Sequence, residues 1–318
     1  MTTIDFARFE ATSPRPPNGP IAALRGGMTL FFDRPFSEFA DATLEAHRLL
    51  LESLPRDRLG WYRTETMRQI KQTTNRTFSL LEQRLTRSQR NISDILSLNY
   101  SGGVDPHGPP EHALGFTWYP RDRYSAYKAS TLRHILPGAE LEARPGRLLE
   151  LTLELGARLP VMSGLAGYSV EFAWGEEVDG IRAMFPRLMR HPAVDVGYSI
   201  YDSTPVGLGK GIKGLGWLTI LGTELVDHLG GESKFRSALP RDIWLHKTKH
   251  AYILQLGDAP VVGDVNRGDE LPLWHEVYRV LRPVHDPVVA AWMQRGTKFD
   301  LRLDDENERT EAWLRRFA

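Results

Sequence analysis

Residues 211–283 constrain the fold of this chain most, because strand, helix, hairpin and helix signals follow one another between glycines and prolines. The aromatic and β-branched segment 217–221 favours a buried strand. Leu221, Leu225 and Leu229 then recur at helical spacing, and a second short helix is expected over 232–239, before Pro240. Residues 244–256 predict a β-hairpin or a bent strand pair. This part of the chain therefore predicts a mixed α and β structure.

Residues 257–270 form a loop rich in glycine and aspartate that leads into another helix. Asp269 is expected to accept hydrogen bonds from the first free N–H groups of that helix, and Pro272 fits its first turn. Asp264 and Asp269, with Asn266 between them, are interpreted as turn-forming and capping residues. A metal site or an acid/base pair is the alternative, although the spacing does not match an EF-hand calcium loop.

Strand and helix signals alternate along the rest of the chain. Strands are predicted near residues 28, 60, 114, 168, 217, 244 and 252, and helices over 37–54, 73–90 and 177–190 and around 287–294. Segment 148–159 fits both periods, and its length before Pro160 favours a helix. The fold class predicted is α+β: a single compact domain with a mixed, largely antiparallel sheet covered by helices. Recurrence of the alternation after residue 165 is consistent with a diverged internal duplication.

Three regions are expected. Residues 1–20, which are rich in proline, predict an N-terminal arm, and residues 21–285 predict the α+β domain. Residues 286–318 predict C-terminal helices and a charged tail that packs on the domain through Trp313, Leu314 and Phe317.

Charge and composition exclude several classes of protein. The 40 basic and 40 acidic residues cancel, which argues against a general nucleic-acid binder. The basic segment 56–90 is therefore interpreted as a solvated face rather than a nucleic-acid surface. The chain has no cysteine, no signal-peptide pattern and no apolar run long enough to span a membrane, so a cytoplasmic location is expected. His47 lies on an apolar helix face and is interpreted as a core histidine.

Catalytic motifs are not evident in the sequence. It contains neither GxxxxGK[ST] nor GxSxG, and the glycine-rich segment 207–216 lacks the strand and helix of a dinucleotide-binding fingerprint. We therefore expect a protein that is not an enzyme and needs no cofactor or metal. The alternative is a hydrolase that uses the loop over residues 257–270.

Two extended motifs carry a family resemblance. Residues 214–231 read GxxWLTxLGxELVxxLGG, and residues 263–283 read GDVNRGDxLPxWxxVxRxLRP. Together with segments 27–33 and 165–172, they resemble the immunity proteins that protect bacteria from type VI secretion nucleases of the virus-type replication-repair class. The resemblance implies a protein that binds and neutralises a cognate effector toxin, a DNA nuclease. It implies no catalytic residues.

The predicted partner surface is acidic, because a nuclease cleft that holds phosphates is electropositive. Two local excesses of carboxylates lie near strand ends. The candidates are Glu171, Glu176, Glu177 and Asp179 in the first, and Asp258, Asp264, Asp269 and Glu270 in the second. Favourable charge at a helix start is the alternative explanation for the first group. No direct contact with nucleic acid or membrane is expected, and a homodimer stays open.

Overall fold

The computed structural model describes residues 4–13, 19–88, 96–119, 129–197, 211–294 and 306–318. Within these ranges, twelve strands form one sheet. The strands are β1 (Ala11–Thr12), β2 (Pro20–Phe32), β3 (Trp61–Thr64), β4 (Lys71–Gln72), β5 (Leu96–Gly102), β6 (His112–Trp118), β7 (Ser130–Pro137), β8 (Ser163–Phe172), β9 (Asp195–Val196), β10 (Leu218–Gly222), β11 (Trp244–Lys247) and β12 (Ala251–Gln255).

The helix expected over 73–90 starts only at Leu80, and residues 89–90 lie outside the described ranges. The described helices lie between and after the strands, and most match the amphipathic periods in the sequence. They are α1 (Ala40–Ser53), α2 (Leu80–Ser88), α3 (Gly138–Ala143), α4 (Pro145–Arg158), α5 (Glu177–Arg190), α6 (Thr223–His228), α7 (Glu232–Ala238), α8 (Pro272–Gln294) and α9 (Glu306–Leu314). Short 3₁₀ turns, such as Phe36–Phe39 and Val265–Arg267, precede some of them. In the described part of the chain, no helix combines the length and apolarity that crossing a bilayer requires.

The sheet is antiparallel except where β9 joins β8. Its order is β11-β12-β10-β8-β2-β7-β6-β5-β3-β4, with β1 added to β2 and β9 added to β8 in parallel. The long strand β2 lies at the centre, between β7 and β8, so Thr29 is opposite Arg133 on one side and Leu165 on the other. A Cβ at Gly27 would lie 2.4 Å from the carbonyl oxygen of His134. Glycine at this position therefore lets β2 and β7 approach closely.

Aromatic and aliphatic side chains fill a core against the sheet. Phe36 is fully buried, and its ring contacts the rings of Phe32, Phe39, Phe116 and Trp118 at centroid distances of 5.2 to 5.7 Å. A second apolar cluster forms between α8 and the β10–β12 region; it includes Trp274, Val277, Tyr278, Leu281, Leu221, Tyr252 and Leu254. These contacts bury the apolar helix faces that the sequence predicted.

The predicted mixed, largely antiparallel sheet is confirmed, and each predicted strand has a counterpart. Two long strands were not predicted: β5 and β7, which are neighbours of β6. The helix over 148–159 is confirmed as α4. The prediction of a separate helix around 287–294 is wrong, because these residues belong to α8, which continues through Pro283 and Pro287. Proline removes one helical hydrogen bond and bends a helix, and packing of its buried face can outweigh that cost.

Both ends of the chain contact the body. Phe9 is buried, β1 pairs with β2, and the backbone N–H of Ile4 donates to Glu142 Oε1 at 3.1 Å. Trp313 and Phe317 lie in the apolar core. Helix α8 runs across residue 285, the predicted boundary between the domain and the tail. The division into three regions and the internal duplication stay predictions.

His47 is the core histidine that the sequence indicated. It is buried in α1, stacked on Tyr100 at 6.3 Å and edge-on to Phe116 at 5.5 Å between ring centroids. Burial lowers the pKa of His47 to about 4, because the interior disfavours the charged imidazolium, and nearby Arg56 adds to the effect. The side chain is therefore neutral at pH 7 and packs as part of the core.

Candidate partner-binding surface

Helix α5 separates the two acidic clusters that the sequence predicted. Glu176, Glu177 and Asp179 lie at its start, whereas Arg190, in its last turn, binds Asp264 of the loop over residues 257–270. An α-helix rises about 1.5 Å per residue, so the clusters stand about 20 Å apart along α5. They therefore form two surfaces that a partner would contact separately.

Glu171, the first residue of the α5 cluster as predicted, is buried. Only 1% of its surface is exposed; it forms an ion pair with Arg133 of β7 and accepts a hydrogen bond from Ser169 Oγ at 2.8 Å. A carboxylate is costly to bury unless it is paired and hydrogen-bonded, and here both conditions are met. Glu171 is thus not accessible to a partner, and the accessible cluster consists of Glu176, Glu177 and Asp179.

The three accessible carboxylates of this cluster are partly exposed at the start of α5. Asp179 Oδ1 lies 3.2 Å from Arg182 Nη1, one turn further along the helix. The unpaired N–H groups and the helix dipole favour negative charge at a helix start, so the fold itself explains part of this placement. Glu176 and Glu177 remain at the surface next to Trp174, where a partner could reach them.

In the second cluster, Asp264 holds the loop in place. Arg190 Nε and Nη2 donate to its two carboxylate oxygens at 2.8 and 2.7 Å, and Asn266 N–H donates to Oδ1 at 3.1 Å. The hydrogen bonds from Arg190 lower the pKa of Asp264 to about 2. Asp264 also precedes a 3₁₀ turn that ends at Gly268, whose φ of 77° suits glycine. The turn-forming interpretation of Asp264 is confirmed.

The other acidic residues of the loop face the solvent. Asp258, Asp269 and Glu270 are exposed, and the backbone N–H of Asp269 donates to the carbonyl of Asp264 at 3.2 Å. The prediction that Asp269 caps the following helix is wrong, because Leu271 takes the boundary position and its carbonyl accepts from Trp274 N–H at 2.9 Å. Pro272 occupies the first position of α8, as predicted.

The metal-site and hydrolase alternatives depend on which side chains the fold brings together. Among the residues that the structure describes, no three side chains of His, Asp or Glu come close enough to hold a metal ion. Both oxygens of Asp264 are engaged by Arg190, so the carboxylate on which a hydrolase would depend has a structural role. His191 Nδ1 contacts the carbonyl of Gly263 and fixes the same loop.

The basic segment over residues 56–90 makes several internal contacts. The Arg56 guanidinium lies 5.8 Å from the ring centroid of Phe78, and Arg84 forms an ion pair with Glu65. Arg63 lies over the ring of Trp174. Part of the positive charge of this segment is thus used in packing and pairing within the protein, and its interpretation as a solvated face stays a prediction.

Sequence reasoning did not single out the surface around Trp174. This residue follows β8, and half of its surface is exposed. The Arg63 guanidinium lies 3.5 Å from its ring centroid, and its backbone N–H donates to the carbonyl of His107 at 2.8 Å. Beside it lies a cavity of about 170 Å³ whose lining includes Tyr62, Arg63, Asn99, Arg133, Trp174 and Glu177. The only signal in the sequence is an aromatic residue between a strand and Gly175, outside any apolar period.

Comparison with known proteins places the chain in a family. Among solved structures, the fold is similar to that of the T6SS protein PA0821 of Pseudomonas aeruginosa, with a TM-score of 0.77 and 18% identity over 97% of this chain and 87% of that one. No curated protein matches the chain significantly. The sequence profile described as TsiV, type VI immunity for VRR-NUC, matches residues 34–317. Because the match covers most of the chain, this protein belongs to the TsiV family of type VI immunity proteins for VRR-NUC.

Proposed function

We propose that this protein binds a cognate VRR-NUC effector nuclease in the cytoplasm and neutralises it by occluding its active site. The observation that carries the proposal is the family match over residues 34–317. An inhibitor of this kind needs no catalytic group, no cofactor and no contact of its own with DNA or membrane. It needs a surface that competes with DNA for the nuclease.

The accessible carboxylates supply a physical basis for such competition. A nuclease binds the phosphate backbone through basic side chains, and complementary acidic groups on an inhibitor raise the encounter rate and the specificity. Two sets are available at the surface: Glu176, Glu177 and Asp179 at the start of α5, and Asp258, Asp269 and Glu270 in the loop over residues 257–270. Asp264 of the same loop is taken up mainly by Arg190.

The first test is co-expression with any VRR-NUC toxin that is encoded beside it. We expect the wild-type protein to restore growth, to co-purify with the toxin and to stop DNA cleavage by the purified nuclease. Failure of the wild-type protein to bind that nuclease would refute the proposal. The mass of the free protein in solution shows whether two immunity chains form a homodimer.

Occlusion requires a separate measurement. A catalytically inactive nuclease is bound to fluorescent duplex DNA, and the immunity protein is titrated in. We expect the DNA to be displaced, with a midpoint that shifts to higher immunity concentrations as salt rises, since charged contacts weaken with ionic strength. Inhibition of cleavage while the DNA stays bound would disprove occlusion and would indicate inhibition away from the DNA-binding cleft.

A further inference from the structure

One surface combines exposed apolar side chains with a cavity. In the described part of the chain, four large hydrophobic residues are exposed, and one of them, Trp174 at 50%, lines this cavity. A second, Val104 at 97%, lies in the neighbouring loop, whose Pro106 and Gly108 also line the cavity. Val104 belongs to the loop over residues 103–110, whose backbone accepts hydrogen bonds from Trp61 Nε1 and from the N–H of Trp174. We call the surface formed by Arg63, Val104, Trp174, Glu176 and Glu177 the Trp174 edge.

Several internal contacts position the Trp174 edge. The indole of Trp174 lies under the Arg63 guanidinium at 3.5 Å, and its backbone is fixed to the carbonyl of His107. Arg63 Nε in turn donates to the carbonyl of Met67 at 3.4 Å. A stacked, preorganised aromatic loses little side-chain freedom on binding, so more of its burial energy remains as affinity. Tryptophan, tyrosine and arginine are also the residues most enriched among binding hot spots.

Proximity to an exposed aromatic side chain, rather than charge alone, distinguishes the two acidic clusters as docking surfaces. Glu176 and Glu177 follow Trp174 within three residues, and Glu177 lines the cavity beside it. The loop over residues 257–270 offers acidic groups about 20 Å away along α5, and its best-ordered carboxylate, Asp264, is bound by Arg190. An apolar anchor with an accessible acidic rim matches a partner whose binding face is basic, which is what a DNA-binding cleft provides.

We propose that the Trp174 edge is the surface that docks onto the VRR-NUC toxin, with Trp174 as the buried anchor and Glu176 and Glu177 at the rim. The inference rests on the proposed function, because it assigns the toxin as the occupant. It adds which surface is used, which acidic cluster takes part and which residue controls dissociation. The other cluster is left outside the main contact.

The test compares two equally exposed tryptophans in the full-length protein. Trp174→Ala removes the anchor, whereas Trp244→Ala removes an indole that is 51% exposed on β11, at the opposite end of the sheet. Dissociation from the immobilised, catalytically inactive VRR-NUC toxin is measured for both variants and for the wild-type protein. We expect Trp174→Ala to dissociate at least about tenfold faster and Trp244→Ala to match the wild-type protein. Melting temperatures of both variants show whether each is folded.

A second pair of variants tests the rim. Glu176→Gln with Glu177→Gln should slow association and flatten its salt dependence, while Asp269→Gln with Glu270→Gln in the other cluster should leave both unchanged. The inference would be overturned if Trp174→Ala dissociated at the wild-type rate, or if binding weakened only in Trp244→Ala or in the loop variants. Either result would leave the immunity function intact. A wild-type protein that does not bind the toxin at all would instead refute the function, and with it the inference.

Discussion

Replacing Glu171 separates the residues that hold this fold together from those that can meet a partner. The side chains of Glu171 and Arg133 are 2% and 14% exposed and form an ion pair in the sheet. Removing one member of a buried ion pair costs about 3–5 kcal/mol, because the other charge loses its compensation away from water. We therefore expect Glu171→Ala to lower the free energy of unfolding by about 3–5 kcal/mol.

The measurement is urea unfolding followed by circular dichroism, with the midpoint and the slope fitted for each variant. Glu176→Ala is the matched control: it removes the same side chain five residues further on, at a partly exposed position, and should change stability by less than about 0.5 kcal/mol. The double variant Arg133→Met with Glu171→Leu should recover much of the loss, because well-packed apolar groups can replace a buried ion pair.

A loss below about 1 kcal/mol for Glu171→Ala would refute this reasoning, since it would mean that Arg133 finds water or another partner at little cost. Binding kinetics add an independent criterion. Below its melting temperature, Glu171→Ala should associate with the toxin at the wild-type rate, because the carboxylate is not at the surface. A slower association of the folded variant would indicate that Glu171 takes part in the contact with the toxin.

Three further outcomes follow from the core and the loop. Burial lowers the pKa of His47 and of His134 from 6.5 to about 4, so the unfolded chain binds more protons than the folded one between these values. The free energy of unfolding should therefore fall as the pH drops from 6.5 to 4. Urea midpoints at pH 7, 5.5 and 4.5 test this, and His47→Gln should make the free energy of unfolding depend less on pH. Phe36→Ala, in the aromatic core, should cost about 3–5 kcal/mol by the same unfolding assay, and a loss under about 1 kcal/mol would contradict the packing described. Asp264→Asn should speed hydrogen exchange of the backbone amides over residues 261–271, whereas Asp258→Asn, at an exposed position, should not. Equal exchange rates in the two variants would show that the Arg190–Asp264 pair does not hold the loop.

Local periodicity was enough to predict most of the sheet and helices. Residues 177–190 show a clear helical period and residues 244–256 a clear strand period, and both segments form as predicted. Strand β7 was missed because Arg133 and His134 interrupt its apolar run. Both are accommodated by tertiary contacts that the sequence does not display: an ion pair with Glu171 for the first and full burial beside β2 for the second.

Helix α8 is longer than the sequence predicted. A separate helix was expected around 287–294, since the proline at 283 lacks a backbone N–H and its ring crowds the preceding turn. The observed helix continues because Leu281, Val284 and His285 are buried on either side of the proline. Local preference costs a few kcal/mol at such a position, and burying several side chains can exceed that amount.

The binding surface was the hardest feature to predict, and the reason is physical. Catalysis needs particular chemical groups at fixed spacing, which leave motifs, whereas an inhibitor surface needs only shape, exposure and charge. At the Trp174 edge, Arg63 comes from β3, Val104 from the loop after β5, and Trp174 from the end of β8. Their proximity depends on strand order in the sheet, with β3 beside β5 and the carbonyl of His107 meeting the N–H of Trp174. Sequence charge counts identified two acidic clusters but could not show that Glu171 is buried and Asp264 is paired. The fold distinguishes the carboxylates that stabilise this protein from those that are exposed at its surface.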